Sequence, residues 1–187
     1  MRGDIIYNNR EAYAKYNLVK SVSYNIISHL INSDEAEIIW KLLKDDSNDA
    51  WDIENLTKEE KRKLVYDGSK FASNFRVFMD EGMDDAVTGE CTFLRIYPYY
   101  VTPLTRTNGV IDIAFEILSH YKTNTMSNYS TKVDTIFCAL IDSLNGVDIG
   151  GIGPVFFDTN GSRLDKAQTI GSSPYRGKIL VMSVNAG

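Results

Sequence analysis

Between positions 110 and 118 apolar and charged side chains alternate, with Ile111, Ile113, Phe115 and Ile117 on one side of an extended backbone and Asp112 and Glu116 on the other. A period of two marks a strand with one buried face. This stretch is expected to be the central strand of a sheet, with Asp112 and Glu116 turned to water. An aromatic run from Cys91 to Tyr100 precedes it, and a turn over residues 102–108 joins the two. Pro98 has no N–H to give to a ladder, so it predicts a sheet edge or a bulge. Asn108 and Gly109 predict positive φ angles where the chain folds back. Upstream, Phe75, Val77 and Met79 alternate with Arg76 and Phe78 as a first strand, followed by an acidic turn at Asp80, Glu81, Asp84 and Asp85.

Elsewhere the period lengthens to that of a helix. Leu18, Val19, Val22, Ile26, Ile27, Leu30 and Ile31 recur at threes and fours within a helix expected from about Arg10 to Asn32. Ser33 before Asp34 and Glu35 reads as the N-cap of a second helix running to about Lys44 and burying Ile38, Ile39, Leu42 and Leu43. Thr57-Lys58-Glu59-Glu60 has the spacing of a capping box, and the short helix it starts should end near Gly68. The most regular stripe is Val133, Ile136, Phe137, Leu140, Ile141 and Leu144, with Ser130 or Thr131 as N-cap and Asn145-Gly146 as its stop. Two strands follow, at 155–157 and 178–184, separated by a patternless loop at 158–177.

These elements make an α+β fold: an antiparallel sheet with one packed amphipathic helix, preceded by an N-terminal helical region. Residues 1–70 read as an arm with helices, and residues 71–187 as the sheet core with its long loop. A chain of 187 residues can hold one substantial core or a core plus an appendage. At 43% hydrophobic and 24% charged residues, wholesale disorder is excluded. The net charge of -5 gives no footing for nucleic acid over a broad face, so any contact with DNA must be local. There is no run of about eighteen apolar residues. Met1-Arg2-Gly3-Asp4 leads into polar sequence rather than an apolar signal core, and the expectation is a protein assembled in a cytosol.

The candidate chemistry is sparse. Cys91 and Cys138 lack metal-type spacing and are expected to be buried reduced thiols. Asp80, Glu81, Asp84 and Asp85 offer oxygen ligands for a hard cation, but their spacing is not that of a helix-loop-helix calcium site. The glycine-rich stretch 146–154 follows a helix and enters a strand, the reverse of a phosphate loop. His29 and His120 stand beside neither a cysteine nor a Gly-x-Ser-x-Gly elbow, although a pair assembled by the fold stays open. No catalytic, cofactor-binding or metal-ligating residue is assigned, no cofactor is expected, and the chain is not read as an enzyme. Tyr97, Tyr99 and Tyr100 would suit base stacking or a protein interface, and the negative charge favours the interface.

The pair Phe93-Leu94-Arg95-Ile96-Tyr97-Pro98-Tyr99-Tyr100 and Val110-Ile111-Asp112-Ile113-Ala114-Phe115-Glu116-Ile117, the helix at 131–144 and the closing strands around a long loop resemble the neck and tail-terminator-like proteins of tailed bacteriophages. The resemblance covers rather more than half of the chain. It implies a structural virion protein whose copies form a ring at the head-to-tail junction, against a portal, adaptor or tail protein, around an axial DNA channel. It carries no catalytic residues, and it places the protein away from any membrane. The N-terminal helices depart from the compact version of that family and are expected to reach a neighbouring subunit or ring. A head-to-tail ring needs two different patches per subunit, and the 158–177 loop is expected to order on assembly. Arg163, Lys166 and Arg176 would at most grip DNA phosphate weakly. Two alternatives stand beside this: a small soluble enzyme or nucleotide-binding protein, and a cytosolic adaptor that binds a partner by strand addition at the Pro98 edge.

Overall fold

Helix α1 (Val22–Asn32) enters from a 3-10 turn at Tyr16–Lys20 in the computed structural model, which describes residues 16–69, 75–81, 89–105, 107–157, 167–171 and 173–187. Residues 10–15 of the predicted first helix lie outside the described residues. Val22, Ile26, Ile27, Leu30 and Ile31 are buried, as their spacing predicts. Ser33 does not cap the second helix: its N–H closes onto the His29 carbonyl and ends α1. Helix α2 (Glu37–Lys44) starts after Ala36 with no side-chain cap, because the Glu37 N–H is already taken by the Asp34 carbonyl. Its buried face is Ile39, Trp40, Leu42 and Leu43, with the Trp40 indole N–H donating to the Leu30 carbonyl at 2.9 Å. Ile38 is only partly buried.

Helix α3 (Lys58–Lys63) has the predicted capping box. Thr57 Oγ1 accepts the Glu60 N–H, and Glu60 accepts the Thr57 N–H at 2.9 Å. It ends before Gly68, since the next residues leave the helix to pair with the first strand: Leu64 O accepts the N–H of Arg76 and of Val77. Lys61, buried on α3, reaches Glu37 on α2 at 2.5 Å, and the other Glu37 oxygen accepts the Leu56 N–H at 2.6 Å. One carboxylate thus binds α3 and its approach to α2.

The strands are β1 (Val77–Phe78), β2 (Thr92–Pro103), β3 (Gly109–His120), β4 (Asp148–Ile149), β5 (Gly153–Phe156), β6 (Ala167–Ile170) and β7 (Tyr175–Asn185), with α4 (Lys132–Leu144) between β3 and β4. Their order is β1-β2-β3-β7-β5-β4, and β6 pairs with the early part of β7. β3 is central, paired along its length with β2 on one side and β7 on the other. The sheet is mixed rather than antiparallel, because β1 runs parallel to β2. Two residues are too few for a periodic signal to carry direction. The expected patternless loop also contains β6, whose Ala-Gln-Thr-Ile sequence becomes a strand through its ladder with β7; residues 158–166 and 172 lie outside the described residues.

Three helices, not one, cover the sheet: α1 and α2 lie against β2, and α4 against β3 and β7. Ile111, Ile113, Phe115 and Ile117 join Leu94, Ile96, Leu180 and Met182 in one apolar cluster with the buried faces of those helices. Residues from both sides of position 70 share this cluster. Thr131 is the cap of α4, its Oγ1 accepting the Asp134 N–H at 3.1 Å, and Asn145 ends the helix. Asp112 is buried, contrary to the reading of β3 as wet on one side. The middle of the outer face, around Tyr97, Ala114 and Val181, is buried as well, which forces its polar groups to pair internally. Asp112 accepts the Ser183 hydroxyl at 2.5 Å.

The turn between β2 and β3 differs from its sequence signal. Neither Asn108 nor Gly109 has a positive φ. The Leu104 and Thr105 N–H groups close on the Asn108 carbonyl instead, and a side chain at Gly109 would collide with the Tyr16 ring. The glycine is required by close packing of the N-terminal turn.

Candidate protein interface

Pro98 sits at a β-bulge, where Pro98 faces Ile113, Tyr100 faces Asp112 and Tyr99 is the extra residue. It also sits on the open side of β2. Leu94 donates its N–H outward to Arg76 O, and alternation of the backbone puts the Pro98 nitrogen on the same side. Among the described residues β1 pairs only with Leu94 and Arg95, so the rest of this edge meets no strand. A proline and a bulge blunt such an edge against strand addition. What it offers is side chains: Tyr99, Tyr100, Val101 and Leu104 are exposed.

The bulge splits the tyrosine cluster. Tyr97 turns into the sheet, where its hydroxyl donates to Glu116 at 2.6 Å, while Tyr99 and Tyr100 stack edge to face outside. Burial, and then the hydrogen bond to Glu116, push the Tyr97 hydroxyl well above the usual tyrosine range. Arg95 completes the group, pairing with Glu116 at 3.2 Å. Tyr97 therefore belongs to the interior, and only its two neighbours present a surface.

His120, Cys91 and Tyr175 gather at the opposite end of the sheet. The His120 N–H donates to Cys91 O, its ring lies 5.6 Å from that of Tyr175, and Nδ1 accepts the Lys122 N–H at 3.3 Å. Burial raises the Cys91 thiol, partly offset by Arg76, which is the opposite direction from an activated nucleophile. Cys138 is exposed on α4, so its expected burial does not hold; position 138 falls on the polar flank of the helical stripe. His29 bonds the Ser143 carbonyl at 3.3 Å and ties α1 to α4. Asp80 and Glu81 are described, whereas Asp84 and Asp85 are not. Among the described residues no group of three or more His, Cys, Asp or Glu is placed to hold a metal ion. In the glycine-rich stretch, the Gly146 N–H goes to Val155 O and the positive φ angles of Gly151 and Gly153 turn β4 into β5. Arg176 is exposed on β7; Arg163 and Lys166 lie outside the described residues.

Two further features had no motif. The first is Tyr129, 97% exposed and held at φ 65, a left-handed conformation that a bulky residue seldom adopts. Its turn is fixed: Tyr129 N–H donates to Met126 O, Met126 N–H to Ser130 O, and Ser130 N–H to Asn128 Oδ1 at 3.1 Å. Ser127 joins this turn to residues 48–49 through the Asn48 carbonyl and the Asp49 carboxylate, and exposed Trp51 follows directly. A large aromatic residue inside a polar connection was the readable signal at both positions.

The second is a groove of about 300 Å³ between α1 and the stretch after α3. Tyr24, Ile27, Ile31, Val65, Tyr66 and Met79 give it apolar walls, and Arg62 and Asp67 stand at its rim. It is assembled from segments far apart in the chain, so no local pattern announces it.

A family model described as YomW matches residues 36–184. The chain belongs to the YomW family. The YomW name is phage-associated, of the SPbeta type. The YomW match begins just before α2 and ends in β7, taking in Trp51, the β2 edge and Tyr129 but not α1, one wall of the groove. No curated protein matches the sequence. No helix among the described residues is long and apolar enough to cross a membrane.

Proposed function

We propose that this YomW-family chain is a structural virion protein that forms a ring at the phage head-to-tail junction, joining a portal or adaptor to the tail around the DNA channel. The phage association of the family and the resemblance of the sheet and α4 to tail-terminator-like proteins support this reading. The observation that carries it is the separation of the exposed apolar features: the Tyr99 to Leu104 edge, the Trp51 and Tyr129 end, and the groove beside α1 share no residue. A closed ring needs unlike patches that meet head to tail, and one chain here presents several. The net charge of -5 lets DNA pass such a ring without tight binding.

The test is an image of the intact particle with this chain traced in it. Copies arranged around the channel at the head-to-tail junction are the expected result. A chain absent from purified particles, or located on the capsid shell or tail fibres, refutes the proposal.

A further inference from the structure

We infer that Tyr129 of one copy is the side chain received by the groove between α1 and α3 of the next copy. This rests on the reading of the chain as a ring subunit and specifies the contact that closes the ring. A volume of about 300 Å³ is at the small end of ligand pockets, suited to a single bulky side chain. Tyr129 is such a side chain, wholly presented and held on a turn that leaves its backbone little freedom to lose. Rigid tyrosines with an apolar ring and a polar tip are effective anchors at interfaces.

Charge supports the pairing of these two surfaces. The stretch stitched to the Tyr129 turn, residues 45–54, contains Asp45, Asp46, Asp49, Asp52 and Glu54 and no lysine or arginine; Asp46 is paired with Arg76 at 3.5 Å, which leaves Asp45, Asp49, Asp52 and Glu54 as its acidic charge. The groove is flanked by α3, where Lys63 pairs with Glu59 at 3.7 Å, Glu60 is held in the capping box, Lys58 bonds the groove residue Asn32 at 2.7 Å, and exposed Arg62 lines the groove itself. Asp67 is the acidic residue among those lining the groove, and it accepts the Ser69 N–H at 2.9 Å. An acidic knob and a basic-flanked hole on one chain favour head-to-tail contact and disfavour knob against knob. A second copy is therefore the occupant.

Light scattering after size exclusion on the full chain tests this. The wild type is expected to assemble beyond a dimer as concentration rises, with assembly weakened by salt. Tyr129→Ala, and Ser28→Trp to fill the groove, should each weaken self-association at least tenfold while melting like the wild type. An equimolar mixture of the two variants retains one working knob and one working hole, so it should stop at a heterodimer. Arg62→Glu should weaken assembly, and Asp52→Arg in the same chain should restore part of it. If both single variants assemble like the wild type, the ring stands and the knob-in-groove contact is overturned. A wild type that stays monomeric at every concentration overturns both.

Discussion

On one face of β3, Ile111, Ile113, Phe115 and Ile117 meet Leu94, Ile96, Leu180 and Met182 beneath three helices. On the other face, Asp112 and Glu116 meet Ser183, Arg95 and Tyr97 in the middle of the sheet. Both faces are buried, yet they are stabilised differently. The helix face gains mainly from apolar area and keeps its charges at the rim, where Lys61 meets Glu37 and Lys132 donates to the Asp45 backbone carbonyl. The outer face places an ion pair and a buried tyrosine hydroxyl at its centre, so its stability depends on geometry. A buried ion pair gains little net energy but is costly to break.

Phe115→Ala probes the helix face and should have the largest effect. The ring is fully buried between Ile96 and Leu180, and its loss should cost about 3–5 kcal/mol, read from denaturant melts. A cost under about 1 kcal/mol would mean that the helices do not close tightly on the sheet.

Glu116→Ala is the corresponding change on the outer face. It removes the acceptor of the buried Tyr97 hydroxyl and a partner of Arg95, and should cost about 2–3 kcal/mol. Replacing the group together, with Arg95→Met, Tyr97→Phe and Glu116→Leu, should recover most of that loss, since matched apolar groups leave nothing unsatisfied. If the triple variant is as unstable as Glu116→Ala, the polar group specifies the sheet's register rather than merely filling its face.

Sequence periodicity revealed the helix face and concealed the outer one. The stripe of α4, the alternation along β3, the Thr57 capping box and the bulge at Pro98 are local patterns, and each formed where its residues predict. The parallel β1, the four-residue β6 and the burial of Asp112 depend on what a distant segment contributes, which no local period records. Asp112 and Glu116 read as solvent-facing because charge at every second position usually faces water; here Ser183, Arg95 and Tyr97 come from other strands to satisfy them. The surfaces divide in the same way. Trp51 and Tyr129 are aromatics in polar stretches that the sequence reading did not single out, whereas the groove joins residues 24–32 to 62–67 and Met79 and exists only in the folded chain.

The rim of the helix face gives the smallest effect and the finest discrimination. Asp46 lies 3.5 Å from Arg76, accepts the Thr92 N–H at 3.3 Å and faces the fully buried Lys132. Burial nonetheless dominates and raises its carboxyl above the ordinary value, while burial lowers Lys132. An acid whose folded value is raised binds its proton more tightly in the native chain. Its contribution to stability is therefore complete below the unfolded value and is lost as pH rises through the folded one. Asp46→Asn removes this dependence. The melting temperature of the wild type minus that of the variant should fall as pH rises from the unfolded carboxylate value through the folded one. A difference that grows with pH instead would show that attraction to Arg76 and Lys132 outweighs burial at this rim.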